Sequence, residues 1–314
     1  MAKIIGTGSL IIDLTGYAPH LPVDGETSLG NSIKIGPGGK GGNQINAASR
    51  AGAEAIIISA MGNDFLSNVI RDHYQKEGLS TRYIKTIDGA ETGGAIIEVN
   101  EETAQNRIIV VKGANDLITK EDVLEAEKDF ADCDAVLTQL ETSMESVICC
   151  KNLAKKYNKP FILNPAPFQK LPEGIIDGDI DYITPNETEA EFFTGIHIEN
   201  ADDAKKAAEI LLSRGVKNVI ITLGKQGVLY TDGKREIKLD AIKVNAVDTT
   251  GAGDAFNGGF AAAIAMGYDI ETALKFANCT GALSVTKFGS SPAMPHKEEI
   301  LALLKKEYGI DLEK

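Results

Sequence analysis

The sequence is poor in the features that would commit a chain to a membrane, a disulfide scaffold or a nucleic acid. Its 314 residues contain no stretch of 18 apolar residues, and Met1-Ala2-Lys3-Ile4-Ile5-Gly6 carries no apolar leader core. Neither a spanning helix nor a secretory signal is expected, and a cytoplasmic location is. Only four cysteines occur, Cys133, Cys149, Cys150 and Cys279, none in C-x-x-C spacing. They read as reduced core thiols, not as a metal or disulfide frame. Positive charge is short, with 32 Lys and Arg against 45 Asp and Glu for a net charge of −13. That field repels nucleic acid and anionic membrane, so any phosphate site has to be local. Two phosphate signatures are also missing. The Walker A spacing is absent, and Gly6-Thr7-Gly8-Ser9 lacks the third glycine of a dinucleotide fingerprint, which disfavours a dinucleotide-dependent oxidoreductase.

What is present suits a globular chain, 43% hydrophobic and without repeats, low-complexity tracts or linkers. Short apolar runs at Lys3 to Gly8, Ala55 to Met61, Ala135 to Leu140, Phe161 to Asn164, Tyr182 to Thr184 and Val219 to Leu223 read as buried strands. Helical patterns fall between them at Asn43 to Ala51, Phe65 to Glu77, Glu121 to Phe130, Met144 to Tyr157, Ala201 to Arg214 and Asp254 to Met266. Such alternation predicts an α/β fold with a mainly parallel sheet covered on both faces and ligands at the carboxyl ends of the strands. Two stretches interrupt it, Leu10 to Ile35 and Thr92 to Val111. They suggest a small β-sheet that projects and covers a ligand, the alternative being a plain surface hairpin.

Two glycine-rich segments carry the chemistry. Val247-Asp248-Thr249-Thr250-Gly251-Ala252-Gly253-Asp254 opens a small-residue helix. Gly251 and Gly253 let backbone N–H groups approach an anion at the positive end of that helix, and Asp254 offers a base beside it. An anion cradle next to a base is what phosphoryl transfer to a hydroxyl requires, although Asp254 could also be no more than a helix cap. The second segment, Gly36-Pro37-Gly38-Gly39-Lys40-Gly41-Gly42-Asn43-Gln44, sets four glycines directly around one lysine, two on each side, as where backbone wraps closely round a polar ligand.

These loops, with Asn164-Pro165-Ala166-Pro167 and Thr184-Pro185-Asn186-Glu187-Thr188-Glu189, resemble the ribokinase family of sugar kinases in order and spacing over essentially the whole chain. Gln139-Leu140-Glu141, Gly113-Ala114-Asn115 and Ile221-Thr222-Leu223-Gly224 bring it closest to that family's ribokinases. The resemblance implies a three-layer α/β/α kinase with a discontinuous β lid at about 10–35 and 92–111 and a main domain at about 1–9, 36–91 and 112–314. It implies transfer of the γ-phosphoryl group of ATP to the 5-hydroxyl of ribose, with Asp254 as base and the amides of Gly251, Ala252 and Gly253 as anion hole. Asp13, Gly39, Lys40, Asn43, Glu141 and Asp254 itself would contact the sugar. Asn186 and Glu189 would order Mg2+ and the phosphates through water, or simply form a capping box. Thr222, Gly224, Gly227, Gly253 and Asn278 would line the nucleotide. A K+ site would use Asp248, Thr250, Ser284, Lys287 and Gly289, with Ala293 standing where the family places a serine hydroxyl. A homodimer through the lid is the expected assembly.

The chain departs from the ribokinase pattern at Ile11, where ribokinases carry asparagine two residues before the aspartate matching Asp13. Isoleucine cannot bond a hydroxyl, and deoxyribokinases of the family are apolar there, so 2-deoxyribose is the runner-up substrate. A nucleoside kinase is disfavoured because the lid shows no aromatic cluster beyond Tyr17. A silent sugar-binding regulator on the same fold is opposed by the intact Gly251-Ala252-Gly253-Asp254.

Overall fold

The computed structural model describes residues 1–103 and 105–312; the remaining three positions of the expected lid and main-domain ranges lie outside the described residues. In chain order the elements are β1 (Lys3–Thr7), β2 (Ile11–Ala18), β3 (Ser32–Gly38), α1 (Lys40–Arg50), β4 (Glu54–Gly62), α2 (Phe65–Glu77), β5 (Tyr83–Ile87), β6 (Gly93–Asn100) and β7 (Asn106–Val111). Next come α3 (Lys120–Leu124), α4 (Glu127–Asp132), β8 (Ala135–Thr138), α5 (Met144–Lys156), β9 (Phe161–Leu163), β10 (Tyr182–Ile183), α6 (Glu187–Thr194) and α7 (Ala201–Ser213). The chain ends with β11 (Asn218–Thr222), β12 (Val228–Thr231), β13 (Glu236–Leu239), α8 (Ala252–Ala265), α9 (Ile270–Ser284) and α10 (Lys297–Tyr308).

Among the described residues, nine strands form one sheet in the order β13-β12-β11-β10-β9-β8-β1-β4-β5, parallel from β11 to β5. The apolar runs are continuous because both faces are covered. Ile4, Ala55, Ile57, Leu137, Ile162 and Ile220 enter one core, and Ile5, Ile56, Ile58, Val136, Leu163 and Val219 enter the other. Alternate side chains of one strand thus feed opposite layers, as a period of two requires. All four cysteines are buried and free. Among the described residues no helix is long and apolar enough to cross a membrane.

Four strands make the second sheet, β3-β2-β6-β7. Its inner face buries Ile11, Ala95 and Ile97. On the outer face a cross-strand row runs Ile35, Leu14, Ile96, Ile109, and three of its members are more than half exposed, Ile35 at 56%, Ile96 at 53% and Ile109 at 64%.

Several boundaries differ from expectation. β3 runs to Gly38, three residues past the boundary placed at 35, so the small sheet leads directly into the lysine loop. α1 begins at Lys40, not Asn43, because Gly39 (φ 89) makes the turn into it. The helix expected over Glu121 to Phe130 is two short ones, broken where Ala126 leaves helical geometry. α9 and α10 were not among the expected helices. The Phe65–Glu77 helix, capped by Asp64 and ended by Gly78 in the left-handed region, is found where its pattern places it.

Candidate active site

The site forms where α1 and α8 meet. A Cβ on Gly258 of α8 would lie 2.4 Å from the Gln44 carbonyl oxygen, so only glycine lets the two helix backbones approach this closely. That approach brings together side chains more than 200 residues apart. Asp254 Oδ2 accepts from Asn43 Nδ2 at 2.9 Å, and Oδ1 accepts from Gln44 Nε2 at 3.0 Å. Asp254 is only 6% exposed. It is not the helix cap: Gly251, at φ 77, occupies that position and Asp254 lies in the first turn. The Ala252 N–H turns back onto the Thr249 carbonyl at 3.3 Å, which leaves the N–H groups of Gly253 and Asp254 without a protein acceptor among the described residues. A Cβ on Gly253 would meet nothing within 4 Å. The helix end therefore presents an open, electropositive cradle next to a buried carboxylate.

Lys40 starts α1 on the other side. Burial works against its charge, but Asp254, Glu141 and Glu189 outweigh that penalty and hold its pKa above the usual value. Glu141 Oε2 accepts from the Lys40 N–H at 2.9 Å and from Ser9 Oγ at 2.5 Å, which fixes the carboxylate against the lysine loop. Asn43 Oδ1 is buried without a hydrogen-bond partner among the described residues. Buried polar atoms are rarely left so.

Asp13 lies within β2, on the same face as Ile11. Its Oδ2 accepts from Ser290 Oγ at 3.0 Å. Burial raises its pKa from 3.8 to about 6, against the Ser290 hydrogen bond and with help from the charges of Glu141 and Asp254. A carboxyl raised on folding binds its proton more tightly in the folded chain, so its stabilising contribution is complete below the unfolded value and is lost as pH rises through about 6. Asp13→Asn is accordingly expected to raise thermal stability at about pH 8, by at most roughly 2–3 kcal/mol, and to change little near pH 4. Melting curves at the two pH values check this; an equal gain at both would refute it.

Asn186 and Glu189 do form the capping box: Asn186 Oδ1 accepts from the Glu189 N–H at 2.8 Å and Glu189 Oε2 from the Asn186 N–H at 2.9 Å. Glu189 Oε1 keeps no protein donor among the described residues, and burial raises the carboxyl pKa to about 6. Asn186 bridges in parallel to Thr222. Next to Thr222, a Cβ on Gly227 would fall 1.9 Å from the Leu239 carbonyl oxygen, so the Gly224–Gln226 turn sits on the 239–241 segment. Asn278 Nδ2 donates to the Asp240 carbonyl and to Tyr308 Oη, at 2.9 and 2.8 Å. Gly227 and Asn278 thus border the 239–241 segment, while Thr222 and Gly224 lie in the strand and turn that lead to Gly227.

The loops expected to hold a monovalent cation also converge. Asp248 accepts from the N–H groups of Thr250 (2.9 Å) and Gly289 (3.0 Å), while the Val247 and Asp248 N–H groups donate to the Val285 carbonyl. The Ser284 carbonyl accepts from the Lys287 N–H at 3.3 Å. Ala293 is buried, and neither neighbouring hydroxyl replaces the missing one: Ser290 Oγ is committed to Asp13, and Ser291 Oγ to Asn46 and His73.

Three participants escape the sequence reading. Ser290 reaches Asp13 across 277 positions, and Gln44 reaches Asp254 across 210. Phe288 lies under the Lys34 ammonium, 4.3 Å from its ring centre, and Tyr17 is 5.0 Å from the same ammonium, which ties the small sheet to the 288–290 loop. A cavity of about 420 Å³ opens beneath, lined by Asp13, Thr15, Lys34, Asp248 and Ser290.

The model of the pfkB family carbohydrate kinases matches residues 1–297. The chain is 40% identical to the ribokinase of Bacillus subtilis over 305 residues, covering 97% of this chain and 100% of that protein. It is 36% identical to the deoxyribokinase of Salmonella typhi over 293 residues, covering 93% and 95%. The solved structure of Arabidopsis thaliana ribokinase complexed with ribose and ATP superposes with a TM-score of 0.88 at 29% identity, covering 97% of this chain and 99% of that one. With an open helix-end cradle beside a buried carboxylate, and a family match over residues 1–297, this chain belongs to the pfkB family of carbohydrate kinases.

Proposed function

We propose that this kinase transfers the γ-phosphoryl group of ATP to the 5-hydroxyl of D-ribose. The observation that carries the reading is the pairing of Asp254, held by two amide donors, with the open N–H groups at Gly253 and Asp254. The hydroxyl oxygen forms a bond to the γ-phosphorus while the bond from that phosphorus to the β–γ bridging oxygen breaks. The hydroxyl proton passes to Asp254, and ADP leaves with the electron pair. The open N–H groups of Gly253 and Asp254, at the end of the Gly251-Ala252-Gly253 turn, receive the charge that grows on the phosphoryl oxygens, while the Ala252 N–H is held by the Thr249 carbonyl. Asp13, Gly39, Lys40, Asn43 and Glu141 hold the sugar, and the orphaned Asn43 Oδ1 is an acceptor kept for one of its hydroxyls. Thr222, Gly224, Gly227 and Asn278 border the nucleotide.

Asn186 and Glu189 would hold Mg2+ through water: the free Glu189 Oε1 suits a hard cation that keeps most of its hydration, Asn186 fixes that carboxylate through the capping box, and the bound ion would neutralise phosphate charge. The all-oxygen set of Asp248 with the carbonyls at Thr250, Ser284, Lys287 and Gly289 suits K+, with one hydroxyl fewer because of Ala293. The small sheet serves as the lid. The outward row Ile35, Leu14, Ile96 and Ile109 favours a homodimer through it, since such a patch on a free sheet invites a second copy. Ile109→Glu is expected to yield monomer where the wild-type chain is dimeric, as light scattering would read; a wild-type monomer at micromolar concentration would refute the assembly. Four buried, unpaired cysteines fit a reducing cytoplasm.

A second reading, 2-deoxyribose as substrate, is favoured by Ile11, buried at 2% exposure on the face of β2 that carries Asp13. Coupled ADP formation with ATP, Mg2+ and K+ separates the two. Comparable or better kcat/KM for ribose makes Ile11 a tolerated change. A ~10-fold or larger preference for 2-deoxyribose, the worth of one buried polar contact, makes it the specificity residue. Inactivity with both sugars would overturn the substrate assignment.

A further inference from the structure

Behind Asp254 lies a connected set of buried amides that sugar and nucleotide contacts do not use. Gln44, with no solvent exposure, is its hub: Nε2 donates to Asp254 Oδ1 and to Asn164 Oδ1, both at 3.0 Å, and Oε1 accepts from Gln139 Nε2 at 2.7 Å. From Asn164 the chain continues through the Thr184 carbonyl at 3.0 Å. Thr184 Oγ1 then donates to Asn257 Oδ1 at 2.5 Å, and Asn257 Nδ2 donates to the Gly253 carbonyl at 2.8 Å. One end of this chain is the carboxylate and the other is the cradle.

The direction of these bonds follows from charge. An ionised carboxylate only accepts, so the Gln44 group that faces it must be the NH2. The Gln44 oxygen then faces Gln139, which must turn its own NH2 inward and leave Gln139 Oε1 buried with no partner among the described residues. Turning the Gln139 amide over would set its oxygen against Gln44 Oε1, so with Gln44 oriented by the carboxylate the orphaned Gln139 oxygen follows from the Asp254 end of the chain.

We infer that Gln44 is a positioning residue for the phosphoryl-transfer step: it fixes the Asp254 carboxylate against the attacking hydroxyl and ties that carboxylate to the Gly253 end of α8. The inference rests on the sugar-kinase reading above. Asn43 holds the second oxygen, so loss of Gln44 leaves Asp254 tethered at one point, free to swing about its χ2 bond. The reaction then loses alignment while the sugar keeps Asp13, Lys40 and Asn43. The charged groups that act on Asp254 are Lys40, Glu189 and Asp13, with Glu141 acting in turn on Lys40 and Asp13; none of them contacts Gln44 by a hydrogen bond among the described residues.

The test uses the full-length chain with Gln44→Met, of similar length and without donors, and Gln44→Glu, which sets a second carboxylate against Asp254. For Gln44→Met, kcat is expected to fall ~10–100-fold, the worth of one hydrogen bond to a charged group, with the KM for sugar changed less than about threefold. For Gln44→Glu, the acid limb of the kcat/KM profile is expected to move to higher pH, because two adjacent carboxylates resist ionising together. A merely structural Gln44 would lower the melting temperature in both variants and move neither the kcat-to-KM split nor the limb; that result would overturn the inference. A readout without turnover keeps the two readings apart. The carboxyl carbon of Asp254, followed by NMR through a pH titration, should shift its midpoint in Gln44→Glu relative to wild type. An unmoved midpoint refutes the coupling, whatever the activity. A moved midpoint in a chain that phosphorylates no sugar upholds the coupling and refutes the kinase substrate assignment instead.

Discussion

Asp254→Asn is expected to lower kcat by ~10²–10⁴-fold, the contribution of a positioned general base, while sugar and nucleotide affinities change by only a few-fold. The side chains are nearly the same shape, and the cradle at Gly253 is backbone, so binding surfaces persist. What disappears is the acceptor for the hydroxyl proton. The pocket adds a second, independent consequence. Both side chains that hydrogen-bond Asp254 among the described residues do so through NH2 donors, from Asn43 and Gln44. An asparagine there must turn its own NH2 against one of them, leaving a buried donor unpaired at a cost of roughly 1–3 kcal/mol. The variant is therefore expected to melt at a lower temperature as well as to turn over slowly. Steady-state kinetics, calorimetric binding of sugar and a melting curve check the three parts. Activity above a tenth of wild type would remove Asp254 from the role of base. A normal melting temperature would mean that the amides had reoriented and that their observed direction was not fixed by the carboxylate.

The parts of this site that were legible in the sequence are those carried by local geometry. Glycines clustered around Lys40 and ahead of Asp254 signalled close backbone approach, and the structure finds an open helix end at Gly253 and a left-handed turn at Gly251. The strands were legible because each run is apolar on both faces, and the two cores that receive Ile4 and Ile5 explain why. Other features depend on tertiary contact. Ser290 donating to Asp13, or Gln44 to Asp254, requires α1, α8 and the 290 loop to converge, and no spacing in the chain reports that convergence. Gly258 is the nearest thing to a signal, a glycine inside a helix that only its neighbour's backbone explains. The break at Ala126 carries no glycine or proline, so the pattern there runs on as one helix where the fold makes two. Helix α10 is different: Ile300, Leu301 and Leu304 line its buried face at helical spacing, a signal available in the sequence though not among the helices expected from it.

Gly253→Ala is expected to uncouple stability from activity. Gly253 sits in the first turn of α8, its Cβ position is open to 4 Å, and its φ is not in the left-handed region. Neither packing nor backbone conformation requires glycine there, and glycine in a helix costs about 0.5–1 kcal/mol relative to alanine. The substitution should therefore leave the melting temperature unchanged or raise it. The methyl group would occupy the space into which phosphoryl oxygens must come to reach the N–H groups, and the loss of such donors lowers kcat by ~10²–10³-fold. Gly251→Ala supplies the contrast. At φ 77, with a Cβ placed 3.3 Å from Ser290 Cα and Cβ, alanine is strained there, so the same activity loss should come with a lower melting temperature. Opposite signs in the two melting shifts, beside a common loss of turnover, would identify position 253 as space kept for the ligand and position 251 as a turn kept for the fold. Full activity in Gly253→Ala would mean that the phosphoryl group is held elsewhere, because a cradle filled by a methyl group cannot also bind an anion at hydrogen-bond distance.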